Sequence, residues 1–173
     1  HQSPLYPYFL ASGLSISGNS VRSALLAQLL LGALQPLILY FLARRLFDRT
    51  AGLVAAGITA VYGPFVFQEA ILLRDWIPPV LEPAALLLLL RARSLGKGWV
   101  CAGVAVGAAI LAKETALVLV PLALAWLTVE YWRQWKSLSR VAAMLWIGLL
   151  IALTPLVARN LAVGAPPLSF STR

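Results

Sequence analysis

The sequence predicts an all-α membrane protein, a polytopic helical bundle of about six transmembrane segments, on three observations. Of the 173 residues, 61% are hydrophobic and only 12% charged, with mean hydropathy +0.86. A soluble domain of this size is about half apolar and a quarter charged. The apolar residues also come in long blocks, more than one globular core hides. Short basic clusters stand between the blocks and supply the net charge of +8. Such clusters orient membrane segments. They form no basic stripe on a soluble face, so the expected partner is the lipid bilayer and not nucleic acid.

Residues 1–20 are expected as a loop on the outer face. Their start, His1-Gln-Ser-Pro-Leu-Tyr-Pro-Tyr-Phe-Leu-Ala, is rich in prolines and aromatic rings that settle along an interface. Val21–Ala43 is the first crossing, and Arg44, Arg45 and Arg49 follow it. Between Arg49 and Arg91 there is length for two more, placed at about 51–67 and 76–92. Gly63-Pro64, then Gln68, Glu69, Arg74 and Asp75, then Pro78-Pro79 mark the turn between them.

The next block runs from Gly98 to Val129. As one straight helix it would reach roughly 48 Å, against a hydrocarbon layer of roughly 30 Å. Lys113-Glu114-Thr115 stands at its centre, so two helices are expected, about 98–112 and 115–132, meeting at that polar break. A last helix at about 141–158 leads to an outer loop at 159–173.

Charge fixes the sides. Arg91, Arg93 and Lys97 precede the broken block, and Arg133, Lys136 and Arg140 follow it. Both clusters belong inside with Arg44, Arg45 and Arg49, so the chain crosses an even number of times between them. The outer face then receives Arg22, Arg74, Lys113, Arg159 and Arg173, offset by Glu69, Asp75 and Glu114.

Charged groups at membrane depth cost a few kcal/mol on insertion scales (about 2.5–3.5 at a helix centre), so they face a bundle interior or a wet cavity. Lys113-Glu114 is either a solvated turn with a local ion pair or a cation offered to an anionic head group. Glu69, Arg74 and Asp75 are either an interfacial loop or the polar floor of a site. Glu82, deeper and before Pro83, reads as a hydrogen-bonded packing acid or a functional one. His1 could carry a proton or a ligand, though a lone histidine seldom does. Gly103 and Gly107 favour close backbone approach. Trp99, Trp126, Trp132 and Trp135 read as interfacial anchors.

Cys101 stands alone in an apolar block, so neither a disulfide framework nor a metal-ligand spacing is present, and no metal or other cofactor is expected. Phosphate-loop, zinc-protease and serine-hydrolase motifs are also missing from the sequence. A chain that opens at His1 and stops at Arg173 reads as an internal piece of a longer protein.

Four local patterns, in order, carry a family resemblance. His1-Gln-Ser-Pro-Leu-Tyr resembles an H/K-x-P-P-L-Y segment, and Leu42-Ala-Arg-Arg-Leu-Phe-Asp-Arg-Thr-Ala resembles an L-A-R-R-L-F-G-R-x-A hairpin. Gly103 to Leu117 resembles G-x-x-x-G-L-A-x-L-T-K/R-P-T-A-L, with Glu114 in place of the usual Pro or Gly. Pro155 to Ser169 is similar to P-x-x-x-R-N-x-x-x-x-G-x-x-x-x-[ST]. Together they resemble the GT-C superfamily of membrane glycosyltransferases, in the branch of protein O-mannosyltransferases and lipid A aminoarabinose transferases.

The resemblance implies transfer of a sugar from a polyprenyl-phosphate donor to a protein, lipid or glycan acceptor on the outer face of a bacterial inner membrane. It places the catalytic acid upstream of His1, so no residue of this chain is expected to be catalytic. Lys113 and Arg159 are the candidates for holding the donor phosphate. Glu69, Arg74, Asp75, Asn160 and His1 are candidates for shaping the cavity or positioning the acceptor. The alternatives are part of a secondary transporter or flippase, whose broken helices also carry polar centres, and a non-catalytic membrane subunit.

Overall fold

The computed structural model describes residues 5–16, 20–71, 74–92, 98–164 and 166. Among them the chain is helical throughout: α1 Leu5–Ile16, α2 Val21–Gly32, α3 Gln35–Leu46, α4 Arg49–Val61, α5 Gly63–Ala70, α6 Ile77–Ala92, α7 Gly98–Ala112, α8 Leu119–Glu130 and α9 Trp135–Ala162. Short 3-10 turns occupy Arg74–Trp76 and Glu114–Val118.

Two stretches are long and apolar enough to cross a membrane, Val21–Leu46 with 26 residues and Trp135–Ala162 with 28. A third exists if α4 and α5, bent by 51° at Tyr62, count as one span. The all-helical membrane class stands, with two or three described spans against the expected six. The other apolar helices are interrupted and shorter: α6 has 16 residues, α7 has 15 and α8 has 12.

The chain divides into two compact units, Leu5–Leu87 and Leu88–Arg173 with the first four residues. In the first unit, α2 and α3 form the long span, with a turn at Ala33-Leu34. Pro36, in the first turn of α3, has no N–H to give the Gly32 carbonyl, which accounts for the turn. Next, α3 and α4 form a tight hairpin. Asp48 caps α4, its Oδ1 accepting from the Ala51 N–H at 2.6 Å. Gly52 lies against the Tyr40 carbonyl, where a Cβ would sit 2.9 Å from the oxygen.

Residues 5–16, expected as loop, form helix α1. Pro7 is tolerated there because it lies in the first turn, where backbone N–H groups have no partner inside the helix.

In the second unit, α7 and α9 pack through small residues. A Cβ on Gly103 would run into the Leu145 carbonyl, and one on Gly148 into the Val100 carbonyl. Gly107 faces Leu149 and Ala152 in the same way. Because Gly103 meets Leu145 and Gly107 meets Leu149 and Ala152, the two helices run parallel. The ring contact between Trp99, near the start of α7, and Trp126, near the end of α8, has centroids 6.0 Å apart and makes α8 the return path. The unit is therefore an up, down, up arrangement.

α9 buries Val141, Leu145, Leu149, Leu153, Leu156 and Asn160 along one stripe and exposes Trp146, Ile147, Leu150 and Ile151 on the other. A row of large apolar groups on the open face suits lipid contact, not water. α9 begins at Trp135, before the segment expected from 141, so Lys136 and Arg140 ride on its first turns. Their long stems let the charges leave the apolar layer while the backbone continues as helix.

Candidate functional site

The second unit sorts its charges to its two ends. α7 stops at Ala112, and Lys113 takes an extended conformation (φ −156°) while its N–H still reaches the Ala109 carbonyl at 2.9 Å. Its own carbonyl accepts from the Ala116 N–H at 3.0 Å, which tightens the chain into the following turn. Lys113, Glu114 and Thr115 are all exposed.

The parallel course of α7 and α9 brings the end of α9 to the same end of the unit. Arg159 is half-buried there in the last turn of α9. Asn160 beside it is buried at 2% exposure, and its Nδ2 donates to the Pro166 carbonyl at 3.2 Å. That bond ties the chain leaving α9 back to the helix. Gly164 makes the turn, with a φ of 69° that favours glycine. Arg133, Lys136 and Arg140 lie at the opposite end, where α8 finishes and α9 begins. The fold thus brings Lys113 and Arg159 to one end. Among the described residues neither cation has a carboxylate partner. Two cations at helix ends suit an anionic group with several oxygens, such as a phosphate.

The first unit holds the other candidates. α5 carries Gln68 and Glu69 in its last turn and packs against the turn that Arg74 opens. Asp75, in that turn, is exposed. Glu69, open from the sequence as an interfacial loop or the polar floor of a site, sits in the last turn of a helix and not in a loop. Its half-buried side chain lies over Gly32 of α2, well inside the span Val21–Leu46. His1 falls outside the described residues.

Two residues that the sequence reading missed organise this region. Gln28 is fully buried, and its Nε2 donates to the carbonyls of Gln68 at 3.2 Å, Glu69 at 3.1 Å and Ile71 at 2.7 Å. Gly32, one turn later on the same face of α2, leaves the space that the Glu69 carboxyl fills. The available signal was a glutamine in a long apolar stretch, since an amide at that depth requires a partner.

The same unit contains a cavity of about 600 Å³ lined by Leu5, Tyr8, Phe9, Leu31, Trp76, Ile77, Val80 and Leu81. Phe9 stands edge-on to Trp76 with ring centroids 5.2 Å apart, bracing α1 against the 3-10 turn that precedes α6. The lining suits a hydrocarbon chain and not a sugar, whose hydroxyls would lose water without gaining partners.

Compared with known proteins, residues 1–158 match the family described as dolichyl-phosphate-mannose-protein mannosyltransferase. The match includes Lys113 and Glu69 and ends one residue before Arg159. No curated protein and no solved structure matches the chain.

Proposed function

The chain belongs to the dolichyl-phosphate-mannose-protein mannosyltransferase family, and from that premise we propose that it moves a sugar from a polyprenyl-phosphate carrier to an acceptor on the outer face of a bacterial inner membrane. Family membership makes it part of a membrane glycosyltransferase and favours transfer over the transporter and scaffold alternatives. The six-segment GT-C arrangement belongs to the same proposal, with α2 and α3 sharing one crossing, α4 and α5 another, and α6, α7, α8 and α9 making one each.

The observation that carries the reading is the parallel pairing of α7 and α9, which gives Lys113 and Arg159 a common end away from Arg133, Lys136 and Arg140. By the positive-inside rule the latter cluster is cytoplasmic, so Lys113 and Arg159 face outward. Arg44, Arg45 and Arg49 place the α3–α4 hairpin inside by the same rule.

In the proposed reaction the acceptor hydroxyl attacks the anomeric carbon, the bond from sugar to carrier phosphate breaks, and the hydroxyl proton passes to a base. Negative charge grows on the departing phosphate. Lys113 and Arg159 hold that charge as fixed cations, a contribution largest when it favours the transition state over the bound donor. We assign the base to no residue of this chain, and no metal or other cofactor to the step. Glu69, with Arg74 and Asp75 in the turn beside it, is proposed to position the acceptor, and Asn160 to order the chain after α9.

The test is transfer by the intact protein in membranes. A labelled lipid-linked sugar, with dolichyl-phosphate mannose as the probe, is expected to label a peptide containing serine and threonine, whereas a nucleotide sugar without carrier is not. Equal labelling from the nucleotide sugar alone would overturn the reading.

A further inference from the structure

The end of α5 is held by a side chain whose arrangement exceeds what packing requires. The last carbonyls of a helix have no partner inside it. In α5 those of Gln68 and Glu69, together with that of Ile71 just beyond the helix, are gathered by one amide, the Nε2 of Gln28, reaching across from α2. The amide has two hydrogens for three carbonyls, so the bonds are shared and the backbone at Glu69 is drawn to one point.

Gly32 completes the seat. A Cβ at that position would come within 2.6 Å of both Cγ and Oε1 of Glu69. One face of α2 therefore meets Glu69 twice, its backbone through the Gln28 amide and its carboxyl in the space left at Gly32. The seat also leaves two amide oxygens without a partner among the described residues. Gln28 Oε1 is buried with no hydrogen-bond partner among the described residues, as is Gln68 Oε1. Gln28 thus pairs backbone carbonyls that an apolar residue would leave without a partner, and buries one unpaired oxygen of its own in doing so.

We propose that Gln28 is a positioning residue: its amide holds the last turn of α5 so that the Glu69 carboxyl is presented from Gly32 in a single orientation to the acceptor. This rests on the reading of Glu69 as an acceptor-positioning group. Gln28 and Gly32 need not touch substrate. A flexible acid would spend binding energy on being ordered, whereas one already seated does not.

The experiment measures initial rates of the intact protein with dolichyl-phosphate mannose as donor and a serine- and threonine-containing peptide as acceptor. Gln28→Met and Glu69→Ala are each expected to raise the acceptor KM by about tenfold, with kcat and donor KM within about twofold of wild type. The double variant is expected to match Glu69→Ala alone, because Gln28 acts through that carboxyl. Multiplied effects in the double variant, or a fall in kcat without a change in acceptor KM, overturn the proposal.

Should Gln28→Met fail to accumulate, Gly32→Ala provides the same test. It displaces the carboxyl, and its effect is expected to vanish in the Glu69→Ala background; persistence there overturns the proposal. If Glu69→Ala leaves the acceptor KM unchanged, or the wild type transfers no sugar, the functional reading of Glu69 fails instead. The clamp is then judged by maleimide labelling of Ala70→Cys with Cys101 replaced by serine. Faster labelling with Gln28→Met supports it, and an unchanged rate overturns it.

Discussion

Gly103 lies so close beneath the backbone carbonyl of Leu145 that a single methyl group on its Cα has no room. Gly148 approaches the Val100 carbonyl in the same way. The α7–α9 pairing is therefore a backbone-to-backbone contact. Gly103→Ala and Gly148→Ala are each expected to lower stability by about 1–3 kcal/mol, the usual cost of overpacking. The check is a melting curve of the detergent-solubilised protein. Gly57, where a Cβ would meet nothing within 4 Å, is the control. Gly57→Ala is expected to be neutral or slightly stabilising.

The up, down, up course of α7, α8 and α9 sets Thr115 and Ser139 at opposite ends of the unit, and both are exposed. In a Cys101→Ser background, Thr115→Cys is expected to react with an impermeant maleimide added outside intact cells. Ser139→Cys is expected to react only after the membrane is opened. Labelling of both from one side would contradict the topology.

Asp48 caps α4 at the turn of the α3–α4 hairpin. Asp48→Ala is expected to cost about 1 kcal/mol, whereas Asp48→Asn keeps an accepting oxygen and should cost only a few tenths of that. Comparative thermal unfolding of the two variants checks the ordering.

Much of this fold is legible because membrane chemistry leaves coarse marks. A Lys-Glu pair in the middle of an apolar block must break the helix or reach its end, so Lys113 could be located from sequence. Gly103 and Gly107 marked a close approach, but the partner did not show, because no local pattern names Leu145 or Gly148 across the intervening helix. Pro7 concealed α1, since a proline in the first turn is as compatible with helix as with an interfacial loop. Of the candidate site, the two cations were readable as charges that needed a reason. The seat of Glu69 was not. It depends on Gln28 and Gly32, some forty residues earlier, meeting α5 through tertiary packing.

The central claim is that Lys113 and Arg159 together hold the phosphate of a lipid-linked sugar. The most direct measurement is kcat/KM for dolichyl-phosphate mannose with Lys113→Gln, Arg159→Gln and the charge-keeping Lys113→Arg in the intact protein. Loss of one charge-assisted contact of roughly 1.5–3 kcal/mol corresponds to a fall of about 10- to 100-fold. The account predicts that fall for each glutamine variant, with normal expression, and a milder effect for Lys113→Arg. Wild-type kcat/KM in both glutamine variants would contradict it.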